Sequence, residues 1–249
     1  MRAAGIGVPS QIDAACLLVI LIFAPAARAR ADWTIGGYLG AAHTATSAVS
    51  IRQPLIGTDL VLDGVQFRGR SFESPLYYGY RVGYELPFAR AISVEAELIH
   101  AKVYAETERE VSTRGRRNGI AVDGREPMSQ SVEALSVSHG LNLIVFNVVG
   151  RFPVGSSSSP LQLTGRLGAG PTVPHAESTI GGVHQEQYEW GSVAVQAAVG
   201  VEVRVTHGLS ALGEYKFSRT REALTVSGGG QVRSLLRTHQ AVLGLGYRF

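Results

Sequence analysis

Five side chains could act together if the fold brought them onto one surface: His100, Lys102, His139, His175 and Glu177. An imidazole titrates near neutrality and can serve as base, acid or metal ligand. A carboxylate such as Glu177 orients an imidazole or shares a metal, and an ammonium such as Lys102 pairs with phosphate. Arg114, Arg116 and Arg117 form a second basic group that could bind phosphates, although a basic run in a loop is more often simply solvated. No spacing matches a nucleophile motif, a phosphate-binding glycine loop or a close-set metal site. Chemistry therefore depends on the elements that carry these residues.

Those elements announce themselves at the carboxyl end. In residues 238–249, Phe249, Tyr247, Leu245, Leu243 and Ala241 share one parity, while Arg248, Gly246, Gly244, Val242 and Gln240 share the other. A strand that is greasy on one face and small or polar on the other suits a sheet whose outer face meets lipid. At the amino end, Arg2 precedes an apolar run centred on residues 17–23, followed by Ala29-Arg30-Ala31. This is a secretory signal with a small-x-small cleavage site, which makes residues 1–31 a cleaved signal peptide and 32–249 the mature domain. Cys16 would leave with it, so the mature chain would hold no disulfide and would need another source of stability, such as closure of a sheet within a membrane.

Charge adds an exclusion. Removing Arg2, Arg28, Arg30 and Asp13 from 23 basic and 20 acidic residues lowers the net charge from +3 to +1. The basic character belongs mostly to the signal, and it supports no nucleic-acid partner. No later apolar segment approaches the length of a membrane helix.

Alternation recurs in eight segments, near residues 33–44, 75–85, 91–104, 133–149, 161–177, 188–203, 209–219 and 234–249. Each is long enough to cross a bilayer when tilted. Short connections follow the second, fourth and sixth segments, and long polar loops (45–74, 105–132, 178–187, 220–233) follow the others. The expected fold is all-β: an eight-stranded antiparallel up-and-down transmembrane β-barrel with both chain ends in the periplasm. A soluble sandwich or lipocalin-like barrel also alternates, but the polar parity here holds Arg81, Glu95, Glu97, Asn142, Arg166, Gln196, Glu214 and Lys216, too much charge for a soluble core. Inside a small membrane barrel the same residues would pair and fill the lumen, which ranks a porin-type channel low.

The pattern also places the five candidates. His100 and Lys102 continue the outward parity of the third strand from Leu98, His139 lies between Val137 and Leu141 on the fourth, and His175 and Glu177 follow Val173 on the fifth. All would face outward on three neighbouring strands, near the outer rim of the apolar band, because about 9–11 tilted residues cross it. A Lys facing lipid costs about 2–4 kcal/mol at mid-membrane but about 0–1 near the interface, so the rim is where they are tolerable. In an outer membrane that rim holds the phosphorylated disaccharide of lipid A. Amphipathic side chains also collect at such rims without any chemistry, and His43 and His239 share that height.

The whole mature chain resembles the eight-stranded outer-membrane barrels of the OmpA and OmpX type, and the terminal Phe249 resembles the signal that the outer-membrane assembly machinery reads. Residues 77–84 (Tyr-Tyr-Gly-Tyr-Arg-Val-Gly-Tyr), 99–104 (Ile-His-Ala-Lys-Val-Tyr) and 138–142 (Ser-His-Gly-Leu-Asn) are similar to barrels grouped with the rhizobial lipid A oxidase. That resemblance implies oxidation of the proximal glucosamine of lipid A by oxygen, with lipopolysaccharide as partner and a divalent metal as cofactor if the chemistry carries over; it assigns no catalytic residue. Lipid A deacylases work on the outside wall of such a barrel, but their His-x-Ser pair is absent, since Gly140 and Leu141 follow His139. A non-enzymatic barrel for envelope integrity, adhesion or host interaction is the alternative.

Overall fold

The computed structural model describes residues 33–249, all of which fold around β-structure; the signal peptide expected at residues 1–31 lies outside the described residues. Eight strands close a ring: β1 (Trp33–Thr44), β5 (Tyr78–Glu85), β6 (Ile92–Ala105), β9 (Ala134–Pro153), β10 (Leu161–Ile180), β12 (Val193–Arg204), β13 (Leu209–Val226) and β14 (Gly230–Arg248). Every neighbouring pair is antiparallel, and β14 returns to pair with β1 from Thr34↔Arg248 to Thr44↔Thr238. Closure leaves no open edge within the hydrocarbon, which a bilayer requires. At one end the connections are short, at residues 86–91, 154–160 and 205–208.

The lipid-facing wall is read from exposed apolar residues: Leu39, Tyr80, Val82, Val94, Leu98, Phe146, Val148, Leu167, Val195, Val199, Leu243 and Leu245. A continuous belt of that kind would not persist in water. At its periplasmic edge Trp33 packs on Tyr84 at 5.1 Å and Tyr247 on Phe249 at 5.2 Å, an aromatic girdle. Inside, the expected charges meet and fill the lumen. Arg81 bonds Glu97 at 2.8 Å and Glu214 at 2.5 Å, Arg166 bonds Glu95 at 3.2 Å and also pairs with Glu214, and Lys216 pairs with Glu97.

Two expectations need correction. The fourth segment was expected to turn Leu135, Val137, Leu141, Leu143 and Val145 toward lipid. In β9 these five are buried, in one parity with Asn147 and Arg151, while Phe146, Val148 and Phe152 face out. Both parities of this strand are apolar, so alternation alone could not choose between them.

The first two long loops are also strands. Residues 45–77 contain β2 (Ser47–Gln53), β3 (Thr58–Val65) and β4 (Phe67–Arg68), and β7 (Glu110–Arg117) and β8 (Ile120–Pro127) follow β6. They extend the sheet in the order β13-β14-β2-β3-β7-β8 beyond the membrane. Asn118-Gly119, with φ +51° and +79°, is the two-residue turn that sets the β7–β8 hairpin, and Gly181-Gly182 plays that part between β10 and β11 (Val183–Tyr188). The apolar interior of this extension, formed by Val49, Ile51, Leu60, Leu62 and Val111 with Leu224, Val226, Val232 and Leu236 of the ring strands, runs on into Val103, Leu135 and Val137 of the barrel.

Physics explains why the interior changes character with height. Within the bilayer the outside must be greasy and the inside may be charged; above it, water takes the outside and the apolar residues move in. On β13 the outward series runs Tyr215, Phe217, Arg219, Arg221, while the inward one runs Glu214, Lys216, Ser218, Thr220, Glu222, Leu224, Val226. The swap after Phe217 marks the outer membrane surface on that strand.

Candidate functional site

The outward rim of β6, β9 and β10 holds all three expected histidines. They meet because β9 carries an irregularity: Leu141 pairs with Ala101 on β6 and Pro174 on β10, and Val137 pairs with Val103 and Ala176. Ser138, His139 and Gly140 thus stand opposite one residue on each side, Lys102 and His175. Such a bulge re-aims a side chain, and here it leaves His139 exposed although its parity neighbours are buried. Gly140 sits at φ +123°, and a Cβ there would lie 2.5 Å from the His100 ring. Glycine is therefore required both by backbone and by space.

His100 is 4% exposed and stacks on Tyr78, with ring centroids 4.8 Å apart and planes 11° from parallel. Its Nδ1 lies 2.9 Å from the Asn142 Oδ1, and the Asn142 amide nitrogen donates to the Val173 carbonyl at 3.1 Å. That second bond assigns the Asn142 oxygen as acceptor, so His100 Nδ1 carries the proton and Nε2 is left as a lone pair. Nε2 is buried without a partner. His175, 8% exposed, lies edge-on to His139 at 4.9 Å and against Tyr188 at 4.3 Å; its Nδ1 is likewise buried and unpartnered. His139 Nδ1 and Ser138 Oγ are 3.0 Å apart. An unsatisfied buried polar atom costs about 1–3 kcal/mol, and two of them, one on each side of the β9 bulge, point to a ligand.

The remaining expected residues divide. Lys102 lies on the same face but is 4% exposed, and its Nζ donates to the Glu73 carbonyl at 2.8 Å, which ties down the segment before β5. Glu177 accepts from Ser136 at 3.4 Å and forms a separate group with His184 and Glu186 of β11. Ligand atoms of those three lie within 4.8 Å of one another, the one such trio among the described residues, and two carboxylates with an imidazole suit a divalent metal. Arg114, Arg116 and Arg117 stand apart from the rim on β7, where Arg114 bonds Asp63 at 2.9 Å, Arg116 faces Asp59 across the sheet and Arg117 pairs with Glu126. Sequence reasoning missed Asn142, assigned inward, and also Tyr188, His184 and Glu186. A Gly beside a His inside a strand was the available sign of a bulge.

A closed eight-strand ring with a lipid-facing wall, an aromatic girdle and a charged, filled lumen is a membrane barrel, and residues 14–249 match the family described as outer membrane protein beta-barrel domain. The chain belongs to this family. The barrel therefore sits in the outer membrane. Among solved structures, OprG from Pseudomonas aeruginosa is similar at 14% identity and TM-score 0.50, covering 88% of this chain and 96% of that one. Neisserial surface protein A matches at 12% identity and TM-score 0.42, over 88% of this chain and 97% of its own. Ail of Yersinia pestis matches at 14% and 0.34, over 89% and 100%. At such identities the likeness to OprG speaks for the fold alone. No curated protein matches the chain significantly.

Proposed function

We propose that this outer-membrane barrel is a lipid A-modifying enzyme whose site lies on its outer wall at the outer-leaflet rim. The single observation behind this reading is the pair of buried, unpartnered ring nitrogens, His100 Nε2 and His175 Nδ1, on the lipid side of the wall. A neutral Nε2 whose tautomer is held by Asn142 is arranged to accept a proton or to ligate, and Tyr78 stacks on that ring while Tyr188 packs on His175. Glu177, His184 and Glu186 are the residues that would hold a divalent metal, and such a metal would supply the activation of oxygen that the oxidase resemblance implies.

Mass spectrometry of lipid A decides the matter. Aerobic cells carrying the protein should show a mass change in the glucosamine disaccharide that His100→Ala and His139→Ala abolish. Identical spectra with and without the protein would remove the reading.

A second reading, a non-enzymatic surface barrel for adhesion or envelope integrity, is favoured by the ordered sheet of β2, β3, β7 and β8 beyond the membrane. It expects deletion of residues that form this sheet to change cell-surface binding while lipid A stays the same.

A further inference from the structure

On the opposite side of the ring from the histidines, β13 and β14 carry four outward-facing arginines: Arg219, Arg221, Arg233 and Arg237. All are exposed; Arg219 and Arg237 lie just above the swap from lipid-facing to water-facing residues, where Arg219 follows Phe217 and Arg237 precedes His239, and Arg221 and Arg233 follow further out, Arg233 level with Ala223. Tyr215 and Phe217 pack at the rim with His239. Arg219 and Arg237 are directly paired across the two strands. Like charges in that position repel, so the pairing is unfavourable unless an anion lies between them.

Most other arginines on this side of the membrane are paired: Arg68, Arg70, Arg109, Arg114, Arg117 and Arg125 each have a carboxylate partner, while Arg52 and Arg116 stand singly on β2 and β7. Among the described residues, none of the four on β13 and β14 has such a partner. Arg237 donates to the Thr46 carbonyl at 3.1 Å and Arg233 to Gln231 at 2.7 Å, which orients two of the guanidiniums without neutralising them. A row of uncompensated guanidiniums at the height of the headgroups, directly over an apolar wall, is matched by an amphiphile with phosphate esters at the same height and acyl chains below. Guanidinium offers the planar fork that suits phosphate.

We propose that Arg219, Arg221, Arg233 and Arg237 form a binding site for the phosphorylated headgroup of an outer-leaflet glycolipid, held against β13 and β14 and independent of the histidine rim. The site anchors lipid; it does not transform it.

The test uses the purified protein in detergent micelles, with binding of bisphosphorylated lipid A measured for the parent and for R219Q/R237Q. Both proteins are first checked for the same heat-modifiable gel mobility. The double variant should bind about tenfold more weakly or worse, as expected for losing two charges at an anionic surface. R114Q, whose charge is already paired, should bind as the parent does, and phosphatase-treated lipid A should bind as weakly to the parent as intact lipid does to the double variant. Equal affinity of parent and double variant overturns the proposal. So does equal binding of dephosphorylated lipid, or displacement of lipid A by inorganic phosphate at its own concentration, which would make the site one for free anions.

Discussion

Lys216 on β13 and Glu97 on β6 are ion-paired across the full width of the barrel, their strands lying opposite each other in the ring. Glu97 also accepts from Tyr38 of β1 at 2.7 Å, Arg81 of β5 at 2.8 Å, Asn147 of β9 at 3.0 Å and Gln196 of β12 at 2.7 Å. One carboxylate thus ties six of the eight strands together and plugs the lumen.

Removing that carboxylate leaves Arg81 and Lys216 buried and less compensated. Glu97→Ala should destabilise the folded barrel by about 3–5 kcal/mol, the usual cost of breaking a buried pair from one side. The urea midpoint in detergent measures it, followed by the shift between folded and unfolded gel bands. A midpoint within error of the parent would mean that the lumen pairs carry no weight. Planar-bilayer recordings of the parent should show no conductance steps.

The orientation of β9 gives a second outcome. Phe146 is 62% exposed to lipid, and Val145 is buried in the lumen. Phe146→Arg should cost about 2–4 kcal/mol, the price for a cation near the bilayer midplane. A spin label at position 146 should be reached by oxygen dissolved in the acyl chains, while one at 145 should be shielded; the reverse accessibility would restore the orientation expected from the sequence.

Gly140 should be the most sensitive backbone position of the histidine rim. Adding a methyl there strains a positive φ, at about 1–3 kcal/mol, and drives it into the His100 ring. Hydrogen exchange in Gly140→Ala should rise about tenfold or more in peptides covering residues 137–142 and 98–104, with the periplasmic half of the barrel unchanged. Uniform exchange across the chain, or none altered, would show that the bulge does not hold the rim.

Much of this was legible in the residues. The outward faces of β1, β5 and β6 follow from clean alternation such as Tyr78, Tyr80, Val82, Tyr84, and His43 does face His239 across β1 and β14. β9 misled because Leu141, Leu143 and Val145 are as apolar as Ile144, Phe146 and Val148, and the lumen on that side takes apolar groups where Ile99 and Ala101 already lie. The histidines met for a reason that parity does not express, the bulge at residues 138–140. The extracellular sheet was hidden by its polar length, yet Val49 and Ile51, Leu60 and Leu62, and the Asn118-Gly119 turn are the ordinary marks of paired strands.

That extracellular sheet supplies the last outcome, because its stability can be separated from that of the barrel. Leu62 is fully buried in an apolar core that lies outside the membrane, packed with residues from β2, β3, β7, β13 and β14. Leu62→Ala opens a cavity that would cost about 2–5 kcal/mol in a core of this kind. The closure of the eight-strand ring rests elsewhere, on β1–β14 pairing and on the lumen charges, although β13 and β14 lend their upper residues to the same apolar cluster. Trypsin should therefore cut the variant in β7, after Arg114, Arg116 or Arg117, at a protease level that leaves the parent intact, while the remaining barrel keeps its heat-modifiable mobility. If the variant resists trypsin as the parent does, the extension draws its order from something other than its apolar interior; if the barrel also unfolds, the two layers form one cooperative unit.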